Sequence, residues 1–134
     1  MSGVRVLTVH HEEQARRATR AVVNAAPGFD VVGETASAEE ALELAVTLRP
    51  DLALVAVGMP GIDGFETSQR LVAALPLTIV VLLATSVELP SKDRLAASQA
   101  VAAMHEQALT PPSLRDVWSE HRNGNQASVP SDGM

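Results

Sequence analysis

Arg49-Pro50-Asp51-Leu52-Ala53-Leu54-Val55-Ala56-Val57-Gly58-Met59-Pro60-Gly61-Ile62-Asp63-Gly64 decides the fold of this chain. Leu52 to Val57 is apolar at every position, so both faces of an extended strand must be covered, as in the centre of a parallel sheet. Pro50 ahead of it and Pro60-Gly61 behind it mark the strand's ends. Asp63 stands where a helix N-cap belongs, and the helix expected from there ends at Leu75, before Pro76.

The same pattern repeats to either side. Toward the N-terminus, Val4–Val9 reads as a strand and Glu12–Ala26 as a helix with Ala15, Ala18, Ala21, Val22 and Ala25 at helical spacing. Phe29–Thr35 reads as a second strand. The following helix is opened by a Ser37/Glu40 capping box and points Ala41, Leu42, Leu44, Ala45 and Leu48 inward. Toward the C-terminus, Thr78–Ala84 is a fourth strand, Pro90 to Gln99 a helix, Ala100–Met104 a weaker fifth strand, and Thr110 to His121 a last helix. Strands alternating with helices over short links predict an α/β three-layer sandwich. Its five-stranded parallel sheet takes the flavodoxin-like order 2-1-3-4-5, with ligand sites beyond the carboxyl ends of the strands. Residues 1–122 are expected to form one domain, and the Gly, Ser, Pro and Asn-rich residues 123–134 a disordered polar tail.

Composition narrows the function classes. Phe29, Phe65 and Trp118 are the only aromatic residues other than histidine, so the core is built from Val, Leu, Ile and Ala. The net charge is −6 and the arginines are scattered, which argues against a nucleic-acid groove. Cysteine is absent, which removes disulfides and thiolate chemistry. No apolar run is long enough to span a bilayer, so a cytoplasmic, soluble protein is expected.

Taken in order and at their spacing, four segments resemble the receiver domains of bacterial response regulators. They are Val31-Val32-Gly33-Glu34, Glu39-Glu40-Ala41-Leu42, Arg49-Pro50-Asp51 and Met59-Pro60-Gly61-Ile62-Asp63-Gly64. The resemblance covers about Val4 to Trp118 and implies the receiver fold and a place in two-component signalling by phosphorelay. It also implies a phosphoacceptor aspartate three residues before Met59, a position occupied here by Ala56. Two Mg²⁺-binding carboxylates are implied at the end of strand one, where this chain has His10 and His11. The family's hydroxyl at the end of strand four falls on Ala84, with Thr85 adjacent. Its lysine at the end of strand five falls on His105 or Glu106. A methyl group cannot accept phosphate, and imidazoles suit zinc, copper or nickel better than magnesium.

Read together, these residues describe an atypical receiver, a pseudo-receiver, with a degenerate phosphorylation site at His10, His11, Ala56, Ala84, Thr85 and His105. It is expected to be a stand-alone signalling module working through protein–protein interaction, without catalytic residues, cofactor or resident metal. Thr85 and Ser86 have only His105 as a candidate base, which does not make a hydrolase. An alternative is a metal, small-ligand or pH sensor in which His10, His11 and His105 converge. A second alternative is a conventional phosphorelay receiver with a displaced acceptor. The resemblance implies a partner or homodimer contact through helix 4, strand 5 and helix 5, where Leu95, Leu109, Leu114, Val117 and Trp118 are the expected residues. For Trp118 itself the favoured reading is an ordinary core anchor, with a contact residue as the alternative. Direct contact with nucleic acid or membrane is not expected.

Overall fold

A computed structural model describes residues 3–85 and 88–122. Strands β1 (Val4–Val9), β2 (Phe29–Thr35), β3 (Leu52–Ala56), β4 (Ile79–Ala84) and β5 (Ala102–His105) alternate with helices α1 (Glu13–Ala25), α2 (Ala38–Leu48), α3 (Gly64–Ala74), α4 (Lys92–Ser98) and α5 (Pro111–His121). A short 3₁₀ turn, Glu106–Ala108, joins β5 to α5. All pairings are parallel, in the order β2-β1-β3-β4-β5. Chain order and sheet order therefore match the expected flavodoxin-like arrangement.

The two-sided strands divide their side chains between two aliphatic cores. Leu7, Val9, Ala53, Val55, Val80 and Leu82 face α2 and α3. Val6, Leu52, Leu54, Val81 and Leu83 face α1 and α5. This odd/even division follows from the alternation of side chains along a strand. It explains why β3 and β4 have no polar residue to spare.

Several expectations need correction. Ala18, Ala21 and Ala25 of α1 are exposed, and the buried stripe is Thr19, Val23 and Ala26. Alanine gains little from burial, so the branched pair Val22-Val23 sets the helix rotation instead. The capping box of α2 is only half made. Ser37 Oγ accepts the Glu40 N–H, but the Glu40 carboxylate takes the N–H of Ala36 rather than that of Ser37. Strand β5 starts two residues late because Gln99 adopts a left-handed conformation (φ 67°) that closes α4.

The largest correction concerns the expected contact face. Leu109, Leu114 and Val117 lie in the core beneath α5, with Leu114 wholly inaccessible. They point at the sheet because the stripe of α5 that covers β4 and β5 must be apolar. Leu95 is half-buried against the opposite core, and Trp118 is half-buried against the α1/α5 core. The expected tail, residues 123–134, lies outside the described residues, as does Ser86. No helix among the described residues is long and apolar enough to cross a membrane.

Candidate functional site

The carboxyl ends of β1, β3, β4 and β5 bring the degenerate positions to one edge of the sheet. Sheet register sets Val9 beside Val55, Ala56 beside Leu83 and Ala84 beside His105. Ala56 is the last residue of β3 and is completely buried. Beyond it, Val57 N–H donates to Leu83 O and Val57 O accepts from Gly64 N–H, both at 2.9 Å. A side chain on Gly64 would come within 2.1 Å of the Ala56 carbonyl oxygen, so α3 reaches this end of β3 only because residue 64 is glycine.

His10 and His11 follow the end of β1, where strand alternation no longer separates them. Their rings stack, with centroids 5.3 Å apart and planes 23° from parallel. His10 is buried and His11 exposed. The backbone of His10 is held twice, by its N–H to Thr35 O (3.1 Å) and by Arg16 Nη1 donating to its carbonyl (2.6 Å). Its Nδ1 accepts the N–H of Glu12 at 3.0 Å. An accepting Nδ1 carries no proton, so the hydrogen of the neutral ring sits on Nε2. That Nε2 lies 2.8 Å from Glu106 Oε2. The ring N–H is not well aligned with that oxygen, so the contact satisfies distance better than hydrogen-bond geometry. Both atoms are buried.

This donor set does not fit magnesium, which requires several hard oxygens in an octahedron. The aligned positions supply two imidazoles and a methyl group, and the carboxylate that is present, Glu106, faces His10. The three-histidine ligand set is not assembled either. Among the described residues no group of three or more His, Cys, Asp or Glu side chains could hold a metal ion. Nε2 of His10, bearing the ring hydrogen, offers no lone pair to a metal.

Asp51 and Asp63 are committed elsewhere. Asp51 lies at the opposite end of the sheet, where Oδ2 accepts the Arg5 N–H at 2.9 Å. Asp63 caps α3 by accepting the Glu66 N–H at 2.9 Å. Ala84 is buried at the end of β4, whereas Thr85 is exposed. Thr85 lines a groove of about 420 Å³ with Val57, Phe65, Leu89 and Arg94. The Arg94 guanidinium sits over the Phe65 ring at 4.1 Å, which ties α4 to α3 beside that groove. The groove opens on the β3–β4 side, and none of the histidines lines it. Strand order places His10 and Glu106 at the same end of the sheet, but their direct contact and the Arg94–Phe65 stack carry no local sequence signature. Each joins residues far apart in the chain whose types are individually ordinary.

A doubly wound parallel sheet of order β2-β1-β3-β4-β5, with its candidate site past the carboxyl ends of the strands, is the architecture that signal receiver domains share. The sequence pattern of the response regulator receiver domain family matches residues 6–108, and the chain belongs to that family. The chain is 38% identical over 111 residues to protein-glutamate methylesterase/protein-glutamine glutaminase 4 of Myxococcus xanthus, a match covering 82% of this chain and 31% of that protein. It is 35% identical over 101 residues to the response regulator GacA of Pseudomonas viridiflava, covering 75% of this chain and 47% of GacA. The chain thus spans from about a third to half of these relatives. Among solved structures, the signal receiver domain of a modulated diguanylate cyclase from Desulfovibrio desulfuricans G20 superposes with a TM-score of 0.81 at 25% identity, over 94% of this chain and 98% of that one. The response regulator domain of Thermotoga maritima CheB shares the fold, with a TM-score of 0.68 at 23% identity over 98% and 99% of the two chains.

Proposed function

We propose that this receiver domain signals through protein contact without aspartyl phosphorylation, as a regulatory module and not an enzyme. The observation that carries the reading is the buried methyl group of Ala56 at the end of β3, in place of an acceptor carboxylate. The neighbouring chemistry supports it. Two imidazoles stand at the metal-binding positions, and the carboxylates nearest in sequence, Asp51 and Asp63, hold backbone amides. The contact surface we assign to α4, β5 and α5 uses the side chains left accessible there: Leu89, half-buried Leu95 and Met104, and the outer edge of Trp118.

The test is intact mass after incubation with acetyl phosphate and Mg²⁺. A variant carrying His10→Asp, His11→Asp, Ala56→Asp and His105→Lys serves as the restored comparison. The native chain is expected to stay unmodified. A native chain that gains one phosphoryl group would overturn the proposal and require an acceptor elsewhere.

A further inference from the structure

We propose that His10 and Glu106 form a built-in clasp that closes the carboxyl edge of the sheet above β3 and β4. It holds β5 and the turn after it in one arrangement without any ligand. The inference rests on the phosphate-independent reading above and supplies what fixes the state of such a module.

The geometry comes from strand order. His10 follows β1 and Glu106 follows β5, and β3 and β4 lie between those strands. Three interstrand steps span about 14 Å, so side chains that meet from β1 and β5 must pass over the ends of the two central strands. They do meet, with Nε2 and Oε2 2.8 Å apart. The space above a central strand end is where the carboxyl-edge site of such a sheet would take a ligand. By strand order, two side chains of the chain itself meet across this edge, beyond β3 and β4, whose end residues Ala56 and Ala84 are buried.

Each arm is anchored. The His10 ring is oriented by the Glu12 N–H on Nδ1, stacked on His11, and rooted by backbone bonds to Thr35 and Arg16. Glu106 opens the 3₁₀ turn Glu106–Ala108, whose carbonyl at Glu106 accepts the Leu109 N–H at 3.2 Å. One residue on, Thr110 and Ser113 cap α5 reciprocally. A pull on Glu106 is therefore transmitted to the start of α5, part of the surface assigned to partners. With Nδ1 already accepting, the ring turns its Nε2 side to a carboxylate oxygen 2.8 Å away, a close polar contact between buried atoms. Neither atom has another hydrogen-bond partner, so removing either side takes the close polar contact from both arms at once, and the two act as one link.

Hydrogen exchange on the full chain tests the clasp. Glu106→Ala, His10→Ala, the double variant and Glu106→Gln are compared with wild type. His10→Phe is added because it keeps a ring in the buried space without a donor. Each alanine variant and His10→Phe should speed exchange of the amides of residues 103–109 tenfold or more. The double variant should be no faster than either single one. Glu106→Gln, whose amide oxygen still accepts, should stay near wild type, and the amides of α2 should not change. Unchanged rates at 103–109 would overturn the clasp. So would independent effects that multiply in the double variant, or an equal acceleration in α2, which would mean a general loss of stability. A phosphorylated native chain with coupled exchange would refute the reading above and leave the clasp standing. An unmodified chain with uncoupled exchange would do the reverse.

Discussion

Gly64 shows how a single absent side chain positions the altered site. The Cβ of an alanine there would lie 2.1 Å from the Ala56 carbonyl oxygen and 2.8 Å from Val57 Cα, both main-chain atoms that can move only with the strand. Gly33 is crowded too, but by the flexible ends of Leu48, Leu44 and Leu7 at 2.8 to 3.2 Å. Gly64→Ala should therefore destabilise by about 2 kcal/mol or more, the scale of backbone shifts forced by overpacking, and Gly33→Ala by clearly less. Urea midpoints of the two variants check this, and equal midpoints would contradict it. The identity of residue 56 was legible in the sequence because Met59-Pro60-Gly61 fixes the count along the loop. That His10 and Glu106 share one end of the sheet was legible from strand order, but their direct pairing was not. Contacts between residues near opposite ends of the chain depend on strand order and side-chain reach, and no local spacing encodes them.

At the level of elements, helix ends were easier to read than helix faces. Ser37, Asp63, Ser91 and Thr110 all cap as their residue types suggest. Helix α1 is the exception, since Glu12 at its N-cap makes no side-chain capping bond. The contrast yields a paired prediction. Thr110→Ala should cost about 1 kcal/mol, because it removes the acceptor for the Ser113 N–H at 3.2 Å. Glu12→Ser should raise stability by about 0.5–1 kcal/mol, since it supplies a cap while keeping the Glu12 backbone N–H on His10. A denaturant midpoint that moves the same way for both variants would refute the assignment. Helix rotation was harder to read because α1 is dominated by alanine and arginine. Exposing Ala18 and Ala21 sacrifices little apolar area, so periodicity alone leaves the rotation about the axis unspecified.

Over the whole molecule, two apolar cores separated by one sheet decide which residues of the α4, β5 and α5 region remain accessible. Sheet order and layering were legible because β3 and β4 are apolar throughout, and only a sheet covered on both sides accommodates them. The partition of α5 was not, since Leu109, Leu114, Val117 and Trp118 are all large and apolar, and sequence type does not separate core from surface. Burial separates them. Leu114 has no accessible surface, whereas Leu89 is 46% exposed just before α4. The two should respond to mutation in different ways. Leu114→Ala should lower stability by about 2–5 kcal/mol through the cavity it leaves, and any loss of association should follow from unfolding. Leu89→Glu should leave the urea midpoint within about 0.5 kcal/mol of wild type, as expected for an exposed site. If the region carries contacts between copies, the same change should weaken self-association about tenfold or more by placing a charge in an apolar contact. Leu77, 82% exposed on the link from α3 to β4, lies at the other end of the sheet and supplies the control. Leu77→Glu should change neither quantity. Sedimentation velocity over a concentration series, paired with urea titration, reads both. Association that responds to Leu77→Glu and not to Leu89→Glu would move the contact to the amino end of the sheet, away from the clasp.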